Sequence, residues 1–449
     1  MSKTIVLKKG LDIPVAGAAE LRLSKTVSPD MVAVQPGGFK GFSPRLLVKE
    51  GDRVLSGSPV LAHKANPAIL VVSPVSGTVK EIVRGEKRKL LAVLVQADGK
   101  QEQAKGPGAE KPSELDAAQI KEHILASGLW PFIVQRPYGI LADPAVTPKA
   151  VFVSAFSSAP LAADTEFTLA DCIGDIQTGI DALAKIAPVH IGLKSEESAF
   201  CKLQNAEKHI FKGKHPAGNV GVQIAAVSPI LKGDTVWTLP LFALAAIGKS
   251  FAKGVYDVRR KVAVAGPAAI EPAYVEMLPG TPLSALAAFY GGNAEGLRIV
   301  SGDLLSGVTE GAEGYLGTAH DCVSIIKEGT EPELFGWAKP IRWGQFSTDH
   351  SYFSWLTPWR KYDCDTNLHG GPRAFVMNDA YYAKVLPMDI YPVYLLKACL
   401  AGDIEKMEKF GIYEVLPEDF ALCEYIDPSK NYIQDIIAKG IDLMLKEMA

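Results

Sequence analysis

The sequence predicts a multidomain protein of mixed α/β and α+β class. It reads as an N-terminal β domain, an α/β domain with a parallel sheet, a small α+β module and a helical C-terminus. Three observations carry this. Residues 1–98 alternate apolar and polar positions between regularly placed glycines. Strand, helix and strand follow one another within 151–193, a spacing that implies parallel pairing. Beyond Pro387 apolar residues recur at helical spacing. A chain of 449 residues suits about three or four domains.

Taken in order, 1–98 holds strands at 69–72 and 90–95, with Gly51, Gly57, Gly77 and Gly85 as turns. The run 48–53 is echoed at 82–87, a shift of 34 residues, as expected of the two pseudo-equivalent halves of a barrel-sandwich. Residues 99–112 have no large apolar side chain and read as a flexible linker. In 113–257, Ser113 is the expected cap of a helix carrying Leu115, Ile120 and Ile124 near one face and closed by Gly128. Strand 151–153 follows. Ile173, Ile176, Ile180, Leu183 and Ala187 then step along one helix face, Pro188 stops it, and 189–193 is the next strand. Residues 258–334 read as strands at 261–266 and 297–302 around a helix at 281–290 that ends at Gly291-Gly292. Residues 335–386 are irregular and aromatic at their start. Residues 387–449 are helical, with Ile433, Ile437, Ile441, Met444 and Met448 on a last face capped by Ser429.

The composition excludes several classes. The chain is 48% hydrophobic and 22% charged, ordinary for a globular protein. Its net charge of −3 and the absence of basic tracts argue against nucleic acid. The cysteines at 172, 201, 322, 364, 399 and 423 form no Cys-x-x-Cys, so neither a disulfide framework nor a zinc knuckle is expected. The N-terminus lacks the apolar core of a signal peptide. The longest apolar run, 235–247, contains Pro240 and is too short to span a bilayer.

Within 48–98, Val48-Lys49-Glu50-Gly51-Asp52-Arg53-Val54, then Gly57-Ser58-Pro59-Val60-Leu61, then Ser73-Pro74-Val75-Ser76-Gly77-Thr78-Val79 resemble the β-hammerhead of biotinyl and lipoyl domains. The carrier position of those domains falls here on Asn66 or Pro67, and Lys64 lies early. The scaffold is expected without its swinging arm.

Other cofactor motifs are also incomplete. Gly248-Lys249-Ser250 hints at a phosphate loop, but the glycine needed five residues earlier is Ala243. No Gly-x-Gly-x-x-Gly exists to let a pyrophosphate approach a helix N-terminus. No histidine pair has the helical spacing of His-Glu-x-x-His, and His320-Asp321-Cys322 and Cys364…His369 lack further ligands at a readable spacing. Cys423-Glu424-Tyr425-Ile426-Asp427-Pro428 keeps the spacing and proline of a ferredoxin-type motif, yet the last cysteine position is Asp427. We expect no catalytic side chain, no metal and no cofactor held by this chain.

One stretch stands out as a working surface. Residues 335–362 hold four of the six tryptophans, Trp337, Trp343, Trp355 and Trp359, interleaved with Arg342 and Arg360. Aromatics with arginine are enriched at protein interfaces and at bilayer headgroup level. Inward packing of the same aromatics is the competing reading. Gly370-Gly371 suggests a tight turn presenting Arg373 to an anion or carbonyl.

Together with Lys8-Lys9-Gly10-Leu11-Asp12-Ile13-Pro14, His215-Pro216-Ala217-Gly218, Phe335-Gly336-Trp337, Gly370-Gly371-Pro372-Arg373-Ala374 and Asp419-Phe420-Ala421-Leu422-Cys423, these pieces resemble the A subunit of the sodium-translocating NADH:quinone oxidoreductases. That family is similar to the flavin subunit of respiratory complex I. The resemblance implies a Rossmann-like fold for 113–257 and an SLBB or β-grasp module for 258–334. It implies a peripheral subunit on the cytoplasmic side of the bacterial inner membrane, in a six-subunit complex. That complex passes electrons from NADH through flavins and iron–sulfur centres to ubiquinone while exporting Na⁺. The membrane-embedded B subunit is the implied main partner. Trp337, Trp343, Trp355, Trp359, Arg342, Arg360, Gly370, Gly371, Arg373 and His215 are the residues the reading places at a partner or quinone face. In the complex I relatives a glycine-rich flavin loop precedes the first sheet strand. Here that position reads Gln135-Arg136-Pro137-Tyr138-Gly139, and the acidic cluster after the strand has become Phe156-Ser157-Ser158-Ala159-Pro160. Two rival readings remain: a flavin-binding electron-transfer enzyme, and a carrier modified at Lys64.

Overall fold

A computed structural model describes residues 3–331, 333–336, 339, 342–348, 350, 352–367 and 377–448. Its largest sheet runs in the order Lys3–Val6, Glu207–Lys212, Val189–Leu193, Ala150–Ser154, Val236–Thr238, Val134–Arg136, Ile140–Leu141. The first five strands are parallel, and the last two form an antiparallel hairpin on the edge. Strand Ala150–Ser154 is apolar on both faces over Ala150–Val153, as a sheet covered on both sides requires. Helix Ile173–Leu183 buries Ile176, Ile180 and Leu183, the face its periodicity marks.

Helix Leu241–Lys253 crosses that helix at glycines. A Cβ on Gly248 would lie 1.7 Å from the Asp175 carbonyl oxygen, and one on Gly179 would lie 2.4 Å from that of Leu244. Gly248-Lys249-Ser250 is therefore a close helix crossing. Lys249 is paired with Asp257, and Ser250 donates to the Ile247 carbonyl at 2.9 Å.

The barrel-sandwich is made of a four-stranded sheet, Met31–Val34, Leu90–Ala97, Gly77–Arg84 and Arg53–Val54, facing a three-stranded one, Pro44–Leu46, Pro59–His63 and Leu70–Val72. Val32, Val60, Leu61, Val93 and Val95 fill it. The chain's first strands pair elsewhere. Lys3–Val6 lies on the edge of the α/β sheet, and Glu20–Thr26 lies beside Ala273–Met277. Glu20–Thr26 is exposed along its whole length, so its alternation marks no core, and pairing alone decides where it belongs.

The sheet it joins runs Val308–Thr309, Leu297–Ser301, Cys322–Lys327, Arg260–Ala265, Ala273–Met277, Glu20–Thr26. The expected helix at 281–290 is a 3₁₀ segment, Leu283–Tyr290, ended by a left-handed Gly291. The stretch 99–112 is fastened rather than loose. Ala104 donates to the Ser56 carbonyl at 2.8 Å, Glu110 donates its amide to Phe251 at 2.8 Å, and the Glu110 carboxylate meets His123 at 2.7 Å. Polar side chains left this stretch without an apolar signature, while its backbone found partners on both sides.

Two caps differ from expectation. Helix Ala117–Ala126 is capped by Asp116, whose carboxylate accepts from the Gln119 amide at 2.8 Å while Gln119 Oε1 accepts from the Asp116 amide at 2.9 Å. This reciprocal box satisfies two end amides, and Ser113 stays in a separate turn, Pro112–Glu114. The last helix, Ile433–Met448, begins beyond Ser429, and its Gln434 amide is taken by the Glu424 carboxylate at 2.8 Å. Ile433, Ile437, Ile441 and Met444 are buried as the spacing requires. With Asp379–Val385, Pro392–Ala401, Ile404–Phe410 and Ala421–Ile426, this helix packs around Leu395, Leu396 and Met407. That core continues onto Phe152 and Val236, so the C-terminal helices cover one face of the large sheet.

Candidate functional site: a cleft at the strand ends and an exposed aromatic ridge

Strand Ala150–Ser154 has Val189–Leu193 on one side and Val236–Thr238 on the other. The chain leaves it first one way and then the other. Ligands of open parallel sheets bind at such a reversal, outside the strands' carboxyl ends. A cleft of about 400 Å³ lies there, between Ser154 and Ser157 of the first strand end, Thr238 of the second, His215, Asp303 and Glu418. A second compartment of about 500 Å³ adjoins it and shares Ser157, Asp303 and Glu418.

The cleft's strongest charges are tied to one another. Arg136, 2% exposed, donates to Glu418 Oε1 at 2.7 Å and to Asp419 Oδ2 at 3.3 Å. Gly221 makes room for this pair: a Cβ there would lie 2.5 Å from Arg136 and 2.6 Å from Asp419. Asp419 also accepts from the Leu416 amide at 2.9 Å. Burial raises the Asp419 carboxyl, and the Arg136 guanidinium opposes that rise.

His215 sits on the opposite wall. Its Nδ1 meets Ser158 Oγ at 3.0 Å, and the same oxygen accepts from the Gly218 amide at 2.8 Å. Burial pulls the His215 pKa down to about 4, with Asp303 and Asp12 pulling the other way, so the ring is neutral at pH 7. The His215 amide donates to Asp12 at 2.9 Å, and the Leu11 amide donates to the His215 carbonyl at 2.8 Å. A Cβ on Gly10, where φ is +140°, would lie 2.4 Å from that carbonyl oxygen, so the opening Gly-Leu-Asp clamps the His-Pro-Ala-Gly turn.

A flavin phosphate does not fit these residues. The position of the flavin loop is a hairpin whose strands pair at Val134↔Leu141 and Gln135↔Ile140, and the Leu141 amide donates to the Lys40 carbonyl at 2.8 Å, so the segment is laid out as a strand pair and not as a phosphate nest. Its remaining glycine, Gly139, has φ +63°, and a Cβ there would lie 2.8 Å from Leu416. Asp303 and Glu418 face the cleft, and the cation beside them is already paired.

The other incomplete motifs are internally satisfied. Asp427 is buried and accepts from Tyr382 Oη at 3.2 Å and from Asn431 N and Nδ2 at 2.7 and 2.8 Å. Burial pushes the Cys423 thiol well up, and the neighbouring Asp427 adds to it, so no thiolate is presented. His320 bonds Ser301 Oγ at 2.9 Å, and burial, then Arg260, brings its pKa to about 4. Arg260 in turn pins the carbonyls of His320, Gly317 and Thr318 at 2.9 to 3.0 Å. His369 lies outside the described residues.

The aromatic stretch behaves differently. Trp343, Trp355 and Trp359 are 54%, 52% and 77% exposed, and Phe335, Phe353 and Leu356 are exposed with them. Trp343 stacks on Phe353 at 5.2 Å. Arg360 donates to the Trp343 carbonyl at 3.0 Å and lies 5.3 Å over the Tyr362 ring. Arg342 is buried, binding Glu333 at 2.6 Å and the Gly336 carbonyl, so it staples the segment instead of facing out. Tyr362 ties the ridge to the N-terminal run: its amide donates to Pro14 at 2.8 Å, and its carbonyl accepts from Ala16 at 2.9 Å.

Comparison with known proteins decides the family. Three family models match in chain order: the NqrA N-terminal barrel-sandwich hybrid domain over 5–98, the NqrA second alpha/beta domain over 115–256 and the NQRA C-terminal domain over 261–310. The A subunit of the Na(+)-translocating NADH-quinone reductase from Yersinia pestis bv. Antiqua (strain Angola) is 35% identical over 433 residues, 95% of this chain and 96% of that one. This chain belongs to that A-subunit family. The counterpart from Shewanella frigidimarina is 34% identical over 439 residues, 96% and 98% of the two chains. That from Neisseria meningitidis serogroup A is 32% identical over 448 residues, 99% and 100% of the two. Among the described residues no helix is long and apolar enough to cross a membrane.

Of the residues singled out from sequence, His215 lines the cleft, and Trp343, Trp355, Trp359 and Arg360 share the ridge. Trp337, Gly370, Gly371 and Arg373 lie outside the described residues. Sequence reasoning missed Arg136, Glu418 and Asp419. Their ion pairs join positions 282 and 283 residues apart, and no local pattern announces them.

Proposed function

We propose that this chain is a peripheral, cofactor-free brace of a Na⁺-pumping NADH:ubiquinone reductase of six subunits. On this reading it docks through the aromatic ridge on the cytoplasmic face of the membrane-embedded subunits, chiefly the B subunit. The exposed Trp343, Trp355 and Trp359 carry the reading. Each leaves on the order of 100 Å² in water, and covering that area is worth roughly 2.5 kcal/mol apiece. Apolar surface of this kind, rimmed by Arg360 and Lys361, marks a site of association. The α/β domain is read as a Rossmann-like relative of the complex I flavin subunit whose cofactor site has been filled in. The test is replacement of the three tryptophans by serine in the assembled complex. The expected result is loss of co-purification with the B subunit and of quinone reductase activity; a complex that assembles and turns over normally would sink the proposal.

A second reading concerns the cleft. Neutral His215, Ser157 and Asn219 beside Leu239, Pro240 and Leu305 suit an uncharged ring bearing carbonyl acceptors, which is the chemistry of a quinone. His215→Ala is expected to weaken binding of a quinone analogue titrated against the complex. Unchanged affinity would exclude the cleft. A flavin-binding protein would instead purify yellow, and a carrier modified at Lys64 would exceed the mass of the bare polypeptide.

A further inference from the structure

At the opposite end of the large sheet, the register gathers three metal-ligating side chains. His190 pairs with Glu207 and Gly192 with His209 in the parallel ladder, so all three donors stand on one face of adjacent strands. His190 Nδ1 lies 3.0 Å from His209 Nε2 and 3.6 Å from Glu207 Oε2, and the three donor atoms fall within 4.8 Å of one another. Ligands about 2.0–2.1 Å from a tetrahedral zinc ion stand about 3.3 Å apart, so the observed spacing needs little adjustment. The His190 ring is stacked 4.5 Å from Phe152, which fixes its plane. Gly192 adds no side chain beside His209, and Gln223 packs over it instead. Nδ1 of His209 is buried without a partner among the described residues, so packing rather than an outer hydrogen bond holds that ring.

We propose that His190, Glu207 and His209 form a three-ligand site for a divalent transition-metal ion of the zinc class, with water in the fourth position. Two imidazoles and a carboxylate are the donor set that zinc accepts in open sites. Burial lowers the pKa of both histidines, with Glu207 opposing, which favours the neutral ring that ligation needs. Without metal, one of the facing nitrogens carries the proton of the His190–His209 hydrogen bond. With metal, both rings carry their proton on the far nitrogen, and no net proton is released. The exposed Glu207 leaves the ion open to solvent, and the site clips two strands together rather than serving the cleft. One group opposes it: Lys3, the register partner of His209, places a positive charge beside the ion.

The experiment is calorimetric titration of chelator-stripped, full-length protein with Zn²⁺, repeated with Co²⁺ to read the visible bands of a four-coordinate site. One saturating equivalent is expected. Glu207→Gln, whose side chain is exposed and should not perturb folding, should weaken binding at least tenfold. His190→Gln and His209→Gln should abolish it, Lys3→Ala should tighten it severalfold, and His63→Gln should leave it unchanged. Absence of a saturable equivalent would overturn the site, as would Zn²⁺ affinity unmoved by Glu207→Gln. Should either histidine variant fail to fold, the Glu207→Gln titration and the Co²⁺ spectrum decide alone.

Discussion

In the cleft, Arg136 is enclosed by Glu418 and Asp419, and His215 is held by Ser158 and by the clamp of Leu11 and Asp12. On the ridge, Trp343, Trp355 and Trp359 each leave half or more of their surface in water. One region has turned its polar groups toward one another; the other has turned its apolar groups outward. The cleft occupies the position where a parallel sheet binds cofactors, yet its buried cation Arg136 is already paired within the chain. The ridge carries large aromatic side chains that the described residues leave exposed. For a subunit whose cofactor motifs are incomplete, this contrast is what the proposed docking role rests on. The two are joined by the opening run Gly10–Gly17, which holds His215 through Leu11 and Asp12 and holds Tyr362 through Pro14 and Ala16.

The contrast breaks most visibly at Arg136. Arg136→Met would leave Asp419 buried without its counter-charge, and urea unfolding is expected to show a loss of about 3–5 kcal/mol. Replacing the pair together, Arg136→Met with Asp419→Leu, should recover much of that loss, because the only carboxylate then left without its counter-charge is the partly exposed Glu418. A small effect of the first variant would mean that the cleft's charges are not mutually dependent and remain available to a ligand.

Acid is the next largest lever. His215 and His320 have pKa values of about 4 in the folded chain against 6.5 when unperturbed. The unfolded chain therefore binds more protons across that window. Stability should fall as pH drops from about 6.5 to 4, by up to about 3 kcal/mol for each ring. Asp303 and Asp12 face His215 and reduce its share, whereas Arg260 beside His320 adds to the second. Denaturation midpoints between pH 7.5 and 4.5 should flatten in His215→Gln, and an unaltered slope would show the ring to be charged in place.

A smaller effect separates Asp116 from Ser113. Asp116→Ala should cost about 1 kcal/mol, since it removes a reciprocal cap, while Ser113→Ala should fall within about 0.5 kcal/mol of wild type. The pair also shows how far the sequence could be read. Periodicity is local, so the buried faces of Ile173–Leu183 and Ile433–Met448 were legible, and so was the β character of the first hundred residues. A choice between two caps three residues apart depends on which backbone turns first, and periodicity does not contain it. The home of Glu20–Thr26 was illegible because an exposed edge strand has no apolar face to place it. Arg342 read as a surface cation because nothing in the sequence shows Glu333 and the Gly336 carbonyl waiting for it. The metal donors escaped because helical spacing was the pattern sought, whereas His209 and Glu207 lie two apart on a strand, and His190 joins them only through register.

The ridge variants should have the least effect on the isolated chain and the most on the complex. Trp359 is 77% exposed, so Trp359→Ser should change the chain's own stability by no more than about 0.5 kcal/mol. Trp343→Ser should cost somewhat more, because it loses the stack on Phe353. Set beside Arg136→Met, which should unfold the chain before it disturbs a partner, this inverts the order of effects. Thermal melts of the isolated chain and co-purification of the complex, measured on the same variants, separate the two kinds of residue. If Trp359→Ser melted the chain as badly as Arg136→Met does, its exposure would not reflect the solution state, and the ridge would belong with the cleft as part of the protein's own packing.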